Sequence, residues 1–335
     1  MAGGSRAEGH PVARIRALDG VRGAAVAAVL VFHGGRLEGG FLGVDLFFVL
    51  SGFLITALLL TESRATDRIS FAGFWARRAR RLLPALFLML AGVALYAVLV
   101  AEPAELERIR GEALATLGYV ANWRAVFGGS SYWELFLVPS PLQHTWSLAI
   151  EEQFYLVWPL VFGAVLAWGR RRSASRADGS STARRMLALS LGLAGSCAIL
   201  ALGIGEANRV YYGTDTRAPA ILFGASLAAW LAWRGPVRTR GGRRRLEMVA
   251  FVAVAALAVA WTRLSGPLLY QGGLLLCGLA GAAVVASAAH PVRGPLARAF
   301  ELRPLVGLGL ISYGAYLYHW PLYVYLDEKR VGLDG

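Results

Sequence analysis

The apolar positions of this chain come in long blocks separated by arginine-rich breaks. A helix needs about 20 mostly apolar residues to cross a bilayer. Blocks of roughly that size run from 18 to 34, 41 to 61, 82 to 101, 145 to 168, 186 to 205, 217 to 233, 247 to 262, 267 to 288 and 304 to 326. In lipid each segment must satisfy its own backbone polar groups, so each block is expected to be a helix. The pattern predicts an all-α, polytopic integral-membrane helical bundle of about 9–10 transmembrane helices.

The breaks orient the bundle. Arg64 to Arg81, Arg170 to Arg185, Arg234 to Arg245 and Arg293 to Arg303 are expected in the cytoplasm, because the cytoplasmic loops of membrane proteins carry an excess of basic residues. Residues 1 to 16 then form a cytoplasmic tail. The apolar block after it has no small-residue cleavage site, so the first span is expected to stay in place of being removed as a signal peptide. The third block ends outside and the fourth begins outside. Residues 111 to 144 therefore cannot hold a single crossing, and a re-entrant or surface-lying segment is expected there. Residues 327 to 335 fall on the extracytoplasmic side. Gly272, Gly273, Gly278, Gly281 and Ala282 are expected to let helices approach closely.

Composition narrows the picture. Of 335 residues, 56% are hydrophobic and 16% charged, and the mean hydropathy is +0.52; a soluble domain carries about 25% charged residues. The net charge of +13 could by itself signal nucleic-acid binding, but the arginines sit between apolar blocks, and Lys329 is the only lysine. The lipid bilayer is the expected partner and nucleic acid is not. Cys197 and Cys277 lie inside apolar blocks, without partners at metal-ligand spacing, so no metal site, disulfide or thiol nucleophile is expected.

Ionisable groups inside spans are costly and mark function. Arg22 and His33 are eleven residues apart, which on a helix returns to nearly the same face about 16 Å along the axis. Asp45 enters the second span shortly afterwards and is expected beside His33. A carboxylate there would fix the imidazole tautomer of a general base. A lone histidine at a helix end would more simply be a cap, with Asp45 paired to an arginine; the aligned Arg22 favours the catalytic reading. Arg77, Arg78, Arg80 and Arg81 precede the third span. Arg77 with Arg80, or Arg78 with Arg81, can present two forks to one phosphate, although charge alone would make this run an orientation signal touching lipid headgroups.

At the fourth span, His144 and Trp146 precede Ser147, Glu151 and Tyr155, which fall on one helical face at spacings of four. Glu151 is expected to face the bundle. In the last span Tyr313 and His319 lie among aromatic residues that could also form an interfacial belt.

Several stretches together resemble the acyltransferase-3 family: Leu18 to Gly23 with His33, Gly43 to Ile55, Arg77 to Pro84, His144 to Pro159, Tyr211 to Ala218 (including Arg217), and Ser312 to Pro321. The match extends from residue 14 to 326, and it is the combination that is specific. The resemblance implies an acyltransferase-3 transmembrane domain over 17–326 in the cell membrane. It implies transfer of an acyl group, commonly acetyl, from acyl-CoA as donor substrate to the hydroxyl of an extracytoplasmic glycan or glycosylated small molecule, with no permanently bound cofactor. By similarity Arg22 and Arg77 to Arg81 belong to the acyl-CoA side and His33 to catalysis, with His33, Asp45 and Glu151 the catalytic candidates. His144, Trp146, Ser147, Tyr155, Arg217, Tyr313 and His319 are the acceptor or pocket candidates. The Tyr-Gly-Thr-Asp-Thr-Arg segment looks most like members that carry an extracytoplasmic SGNH esterase-like domain, so a further helix and such a domain are expected beyond residue 335. Two rivals remain. A proton-coupled transporter or exporter would also use intramembrane His, Asp and Glu, but it does not require cytoplasmic arginines aligned with an intramembrane histidine; a silent scaffold would tolerate loss of Arg22 and His33.

Overall fold

The computed structural model describes residues 15–128, 139–172, 179–264 and 266–326. The expected tail up to residue 14, residues 129–138 of the expected outer segment, residues 173–178 of the arginine-rich loop and the terminal 327–335 lie outside the described residues. Among the described residues the regular elements are all helical: α1 (Arg16–His33), α2 (Gly43–Thr66), α3 (Phe71–Leu99), α4 (Pro103–Leu117), α5 (Ala121–Phe127), α6 (Thr145–Arg172), α7 (Gly179–Gly203), α8 (Ala207–Tyr212), α9 (Thr214–Arg234), α10 (Arg240–Arg263), α11 (Leu274–Ala288), α12 (Pro295–Phe300), α13 (Arg303–Leu310) and α14 (Ser312–Tyr325). The protein is an all-α polytopic membrane bundle.

Six of these helices, among the described residues, are long and apolar enough to cross a membrane: α2, α3, α6, α7, α10 and the segment ending in α11. Burial sorts them. The α2 segment is 78% buried by protein, whereas α10 is only 17% buried and leaves its sides to lipid. The expected first and sixth spans, α1 and α9, fall outside the six. Arg16, Asp19 and Arg22 on α1, and Asp215 and Arg217 on α9, interrupt their apolar character, and both helices pack against α2 in the centre. The expected ninth span is broken at Ile311 into α13 and α14. No long helix occupies the described part of 111 to 144; α4 and α5 are too short to cross.

One close crossing is between α2 and α9. A Cβ on Gly52 would lie 1.8 Å from the Ile221 carbonyl oxygen, and one on Gly224 would lie 1.9 Å from that of Val49. Both positions demand glycine because backbone meets backbone. Gly52→Val is expected to prevent this crossing and to cost well over 3 kcal/mol, read as loss of the folded species in detergent thermal unfolding. Gly278 and Gly281, expected to serve packing, do so more gently, since added Cβ atoms would sit 3.2 to 3.3 Å from α9 and α2 side chains. Gly272 has another role. Its φ of +120 lets the chain break between Leu269 and Gly273, where a π-type turn precedes α11.

Prolines leave two further marks. Pro159 has no N–H for the Tyr155 carbonyl one turn back, and Trp75 Nε1 donates to that carbonyl instead at 3.1 Å. Pro321 likewise strands the Leu317 carbonyl, and His144 Nε2 meets it at 3.0 Å. The second substitution ties the start of α6 to the last helix and fixes an imidazole in the interior.

Candidate functional site

Five helices line one cavity. α1 contributes Arg22; α2 contributes Val44, Phe47, Phe48 and Ser51; α3 contributes Arg78, Arg81 and Leu82. From α6 come Ser147, Leu148, Glu151, Glu152 and Tyr155, and from α14 Ser312, Tyr313 and Tyr316. The helical period explains the α6 set, whose members at spacings of four share one face. Glu152 joins Glu151 in the lining, so neither glutamate is given up to the membrane surface.

The acidic wall is held by hydroxyls. Ser51 Oγ donates to Glu151 Oε1 at 2.8 Å, Tyr155 OH donates to Ser51 Oγ at 2.7 Å, and the Arg78 guanidinium lies 4.0 Å from the centre of the Tyr155 ring. Arg78 lines the cavity and Arg81 lies at its exposed rim, the second of the two alternative pairings. Arg77 and Arg80 do not line the cavity: Arg77 is exposed and pairs with Glu62 at 3.8 Å, and Arg80 is exposed. Positions 77 and 80 lie on the helix one residue behind 78 and 81, and that rotation of about 100° turns them outward.

The far end of the cavity is closed by Ser147 and Tyr316, whose hydroxyls are 2.5 Å apart; Tyr316 OH also donates to the His144 carbonyl at 3.1 Å. Behind this pair lie three imidazoles. His319 Nδ1 is 2.6 Å from the Tyr316 carbonyl, and its Nε2 is 2.9 Å from His33 Nδ1. The Trp320 ring packs on His33 at 4.6 Å between centroids. His33 is half-buried against His319 and Trp320, and it does not line the cavity. Arg22 and His33 share one face of α1 as their spacing predicts, but the Ser147 and Tyr316 hydroxyls lie between the cavity and His33.

The hydrogen bonds assign the tautomers of neutral rings. A carbonyl only accepts, so His319 carries its proton on Nδ1 and presents the Nε2 lone pair. His33 must then donate from Nδ1, which leaves the lone pair on His33 Nε2. His144, donating from Nε2 to Leu317, keeps its lone pair on Nδ1.

Asp45 requires a correction. It is not the partner of His33. Its carboxylate is bonded to Arg217 Nη2 at 3.1 Å, both side chains being almost fully buried, and the Arg217 guanidinium is surrounded by Phe48, Trp146 and Tyr211 at 5.3 to 5.7 Å from the ring centres. A buried carboxylate is satisfied best by the forked donor that α9 brings opposite the start of α2. Arg217 and Trp146 are accordingly neighbours of the cavity, not part of its lining. Tyr313 lines it and donates to the Leu82 carbonyl at 3.1 Å. Sequence reasoning missed Ser51, Glu152 and Tyr316. A serine in the middle of an apolar block and the adjacent Glu152 were the available signals for the first two.

A bundle whose helices are long and apolar enough to cross a bilayer, with arginines and glutamates around one internal chamber, is a multi-pass membrane protein. A family profile described as an acyltransferase domain matches residues 15–329, and the chain belongs to the acyltransferase-3 family. It is 39% identical over 314 residues to the peptidoglycan O-acetyltransferase OatA of Listeria monocytogenes, covering 92% of this chain and 49% of that protein. It is 33% identical over 322 residues to the O-acetyltransferase OatA of Staphylococcus aureus strain NCTC 8325, covering 94% of this chain and 51% of the relative. The chain thus spans about half the length of these curated relatives. No solved structure matches it.

Proposed function

We propose that this chain moves an acyl group, acetyl foremost, from cytoplasmic acyl-CoA to a hydroxyl of an extracytoplasmic glycan or glycosylated small molecule. The relatives' names make peptidoglycan the first acceptor to test. One observation carries the reading: a single cavity has Arg22, Arg78 and Arg81 at one end and Ser147 and Tyr316 at the other, with His319 and His33 directly behind Tyr316. In this scheme residues 17–326 form the transmembrane acyltransferase unit with the N-terminus in the cytoplasm, and an extracytoplasmic SGNH esterase-like domain is a partner downstream.

The arginines hold the phosphates of CoA, and the acyl-bearing arm extends past Glu151 toward Tyr316. Tyr316 must swing aside for the thioester to meet the acceptor. His33 Nε2 then takes the hydroxyl proton while the acceptor oxygen attacks the thioester carbonyl. The tetrahedral intermediate collapses with cleavage of the C–S bond, and the imidazolium returns its proton to the departing CoA thiolate. His319, not Asp45, keeps His33 in the required tautomer. The alternative route through a covalent acyl-histidine uses the same His33 lone pair.

The reading is tested with the full chain in vesicles, labelled acetyl-CoA supplied on the arginine side and a glycan fragment on the other. Formation of a labelled O-acetyl ester is expected, and label that never leaves CoA would refute the proposal. In the same assay Arg78→Ala with Arg81→Ala is expected to raise KM for acetyl-CoA about tenfold or more, the loss of charged hydrogen bonds. Arg77→Ala with Arg80→Ala should leave it within about threefold, because neither side chain reaches the cavity.

A further inference from the structure

A second, open concavity lies between the first turns of α10 and the connection from His290 to Pro295. It shares no lining residue with the cavity of the proposed acyl donor. Arg240, Arg243, Arg244 and Arg293 line one part of it, and Met248 and Phe251 another.

The connection is fixed against α10. His290 places its two ring nitrogens 3.0 Å from the carbonyls of Val292 and Val237. Glu247 accepts from Ser287 Oγ at 2.8 Å and from the Leu296 amide at 3.4 Å, so its carboxylate is engaged with the backbone and hydroxyl on that side. Arg293 reaches Glu301 at 3.2 Å. Among the described residues, no salt bridge is made by Arg240, Arg243 or Arg244, and Arg243 Nε is buried without a hydrogen-bond partner. Arg240 and Arg244, both exposed, and the half-buried Arg243 therefore share a concave site whose one carboxylate, Glu247, is already hydrogen-bonded elsewhere. They also sit at the positive end of the α10 dipole, which raises the cost of leaving them without an anion.

Met248 and Phe251 continue the Arg244 face at helical spacing, and they are 60% and 49% exposed on the helix least covered by protein. Placement of basic residues at a membrane face would follow from topology alone. A concavity holding three unpaired arginines, with an apolar wall one turn further into the bilayer, does not. The combination fits an amphiphile whose phosphate is attached to hydrocarbon. A soluble phosphate ester would gain nothing from Met248 and Phe251.

We propose that this cavity binds an anionic phospholipid, with its phosphodiester headgroup on Arg240, Arg243 and Arg244 and an acyl chain along Met248 and Phe251. The site is independent of the acyl-transfer reading and stands or falls separately.

The test uses the full chain in zwitterionic detergent, titrated in separate arms with phosphatidylglycerol, phosphatidylcholine, inorganic phosphate and acetyl-CoA. Binding is read by thermal shift and native mass spectrometry. Phosphatidylglycerol should stabilise the protein and remain as an adduct, whereas phosphatidylcholine and phosphate should do neither. The variant Arg240→Gln/Arg243→Gln/Arg244→Gln should lose affinity for phosphatidylglycerol by about fivefold per arginine removed, with stabilisation by acetyl-CoA unchanged. Should that variant not fold, Met248→Asp/Phe251→Asp keeps the basic cluster and should weaken phosphatidylglycerol binding about tenfold or more. Undiminished phosphatidylglycerol binding in the folded variant would overturn the proposal. So would stabilisation by phosphate or acetyl-CoA that disappears with the three arginines.

Discussion

Replacing His33 by Ala is expected to lower the rate of acyl transfer by about 10²- to 10⁴-fold, the usual contribution of a positioned general base, with the thermal midpoint close to that of the parent protein. The residue is half-buried and its imidazole bonds to His319 across a helix interface, so the alanine variant loses little packing. His319→Phe should separate positioning from fold. It keeps ring volume against Tyr323 but removes the Nε2 acceptor that faces His33 Nδ1. The expected signature is a fall in kcat of about tenfold or more with an unchanged KM for acetyl-CoA, and a histidine nitrogen resonance of His33 that shows mixed tautomers by NMR. Wild-type transfer by a folded His33→Ala protein would exclude His33 as base and as acyl carrier alike.

The largest loss of stability is expected at Asp45 and Arg217. Breaking a buried ion pair from one side costs about 3–5 kcal/mol, because the remaining charge has no compensation. Arg217→Met and Asp45→Leu should each strongly lower the unfolding midpoint in detergent, and the double replacement should recover much of the loss. Recovery of stability should bring recovery of transfer. If the double variant folds and yet is inactive to the same degree as His33→Ala, Asp45 acts in the chemistry and the structural assignment fails.

The spans were legible because lipid imposes a single demand, about 20 apolar residues, on most of the helices. That demand relaxes in the centre of the bundle. There α1 and α9 are covered by protein and carry Arg22, Asp215 and Arg217, and the last block breaks at Ile311 where neighbouring helices supply the packing. Within one helix the site was legible too. The 3.6-residue period brought Ser147, Glu151 and Tyr155 to one face and gave Arg78 with Arg81 as one of two choices. Pairings between distant helices were not. Arg217 is 172 residues from Asp45, and His319 is 286 from His33; no local spacing connects them. Proximity along the chain suggested Asp45 for His33, and a stronger partner on α9 took the carboxylate. The Pro321 effect was open to inference in principle, since a proline always strands a carbonyl, but nothing local named His144 as the donor that would meet it.

The contact between Ser147 and Tyr316 also limits what can pass. Two hydroxyls 2.5 Å apart leave no room for a water molecule between them, so the chamber beside Arg22, Arg78 and Arg81 does not continue as a column of water to His33. The same hydrogen bond can hand a proton from one oxygen to the other, yet no hydrated ion can follow it.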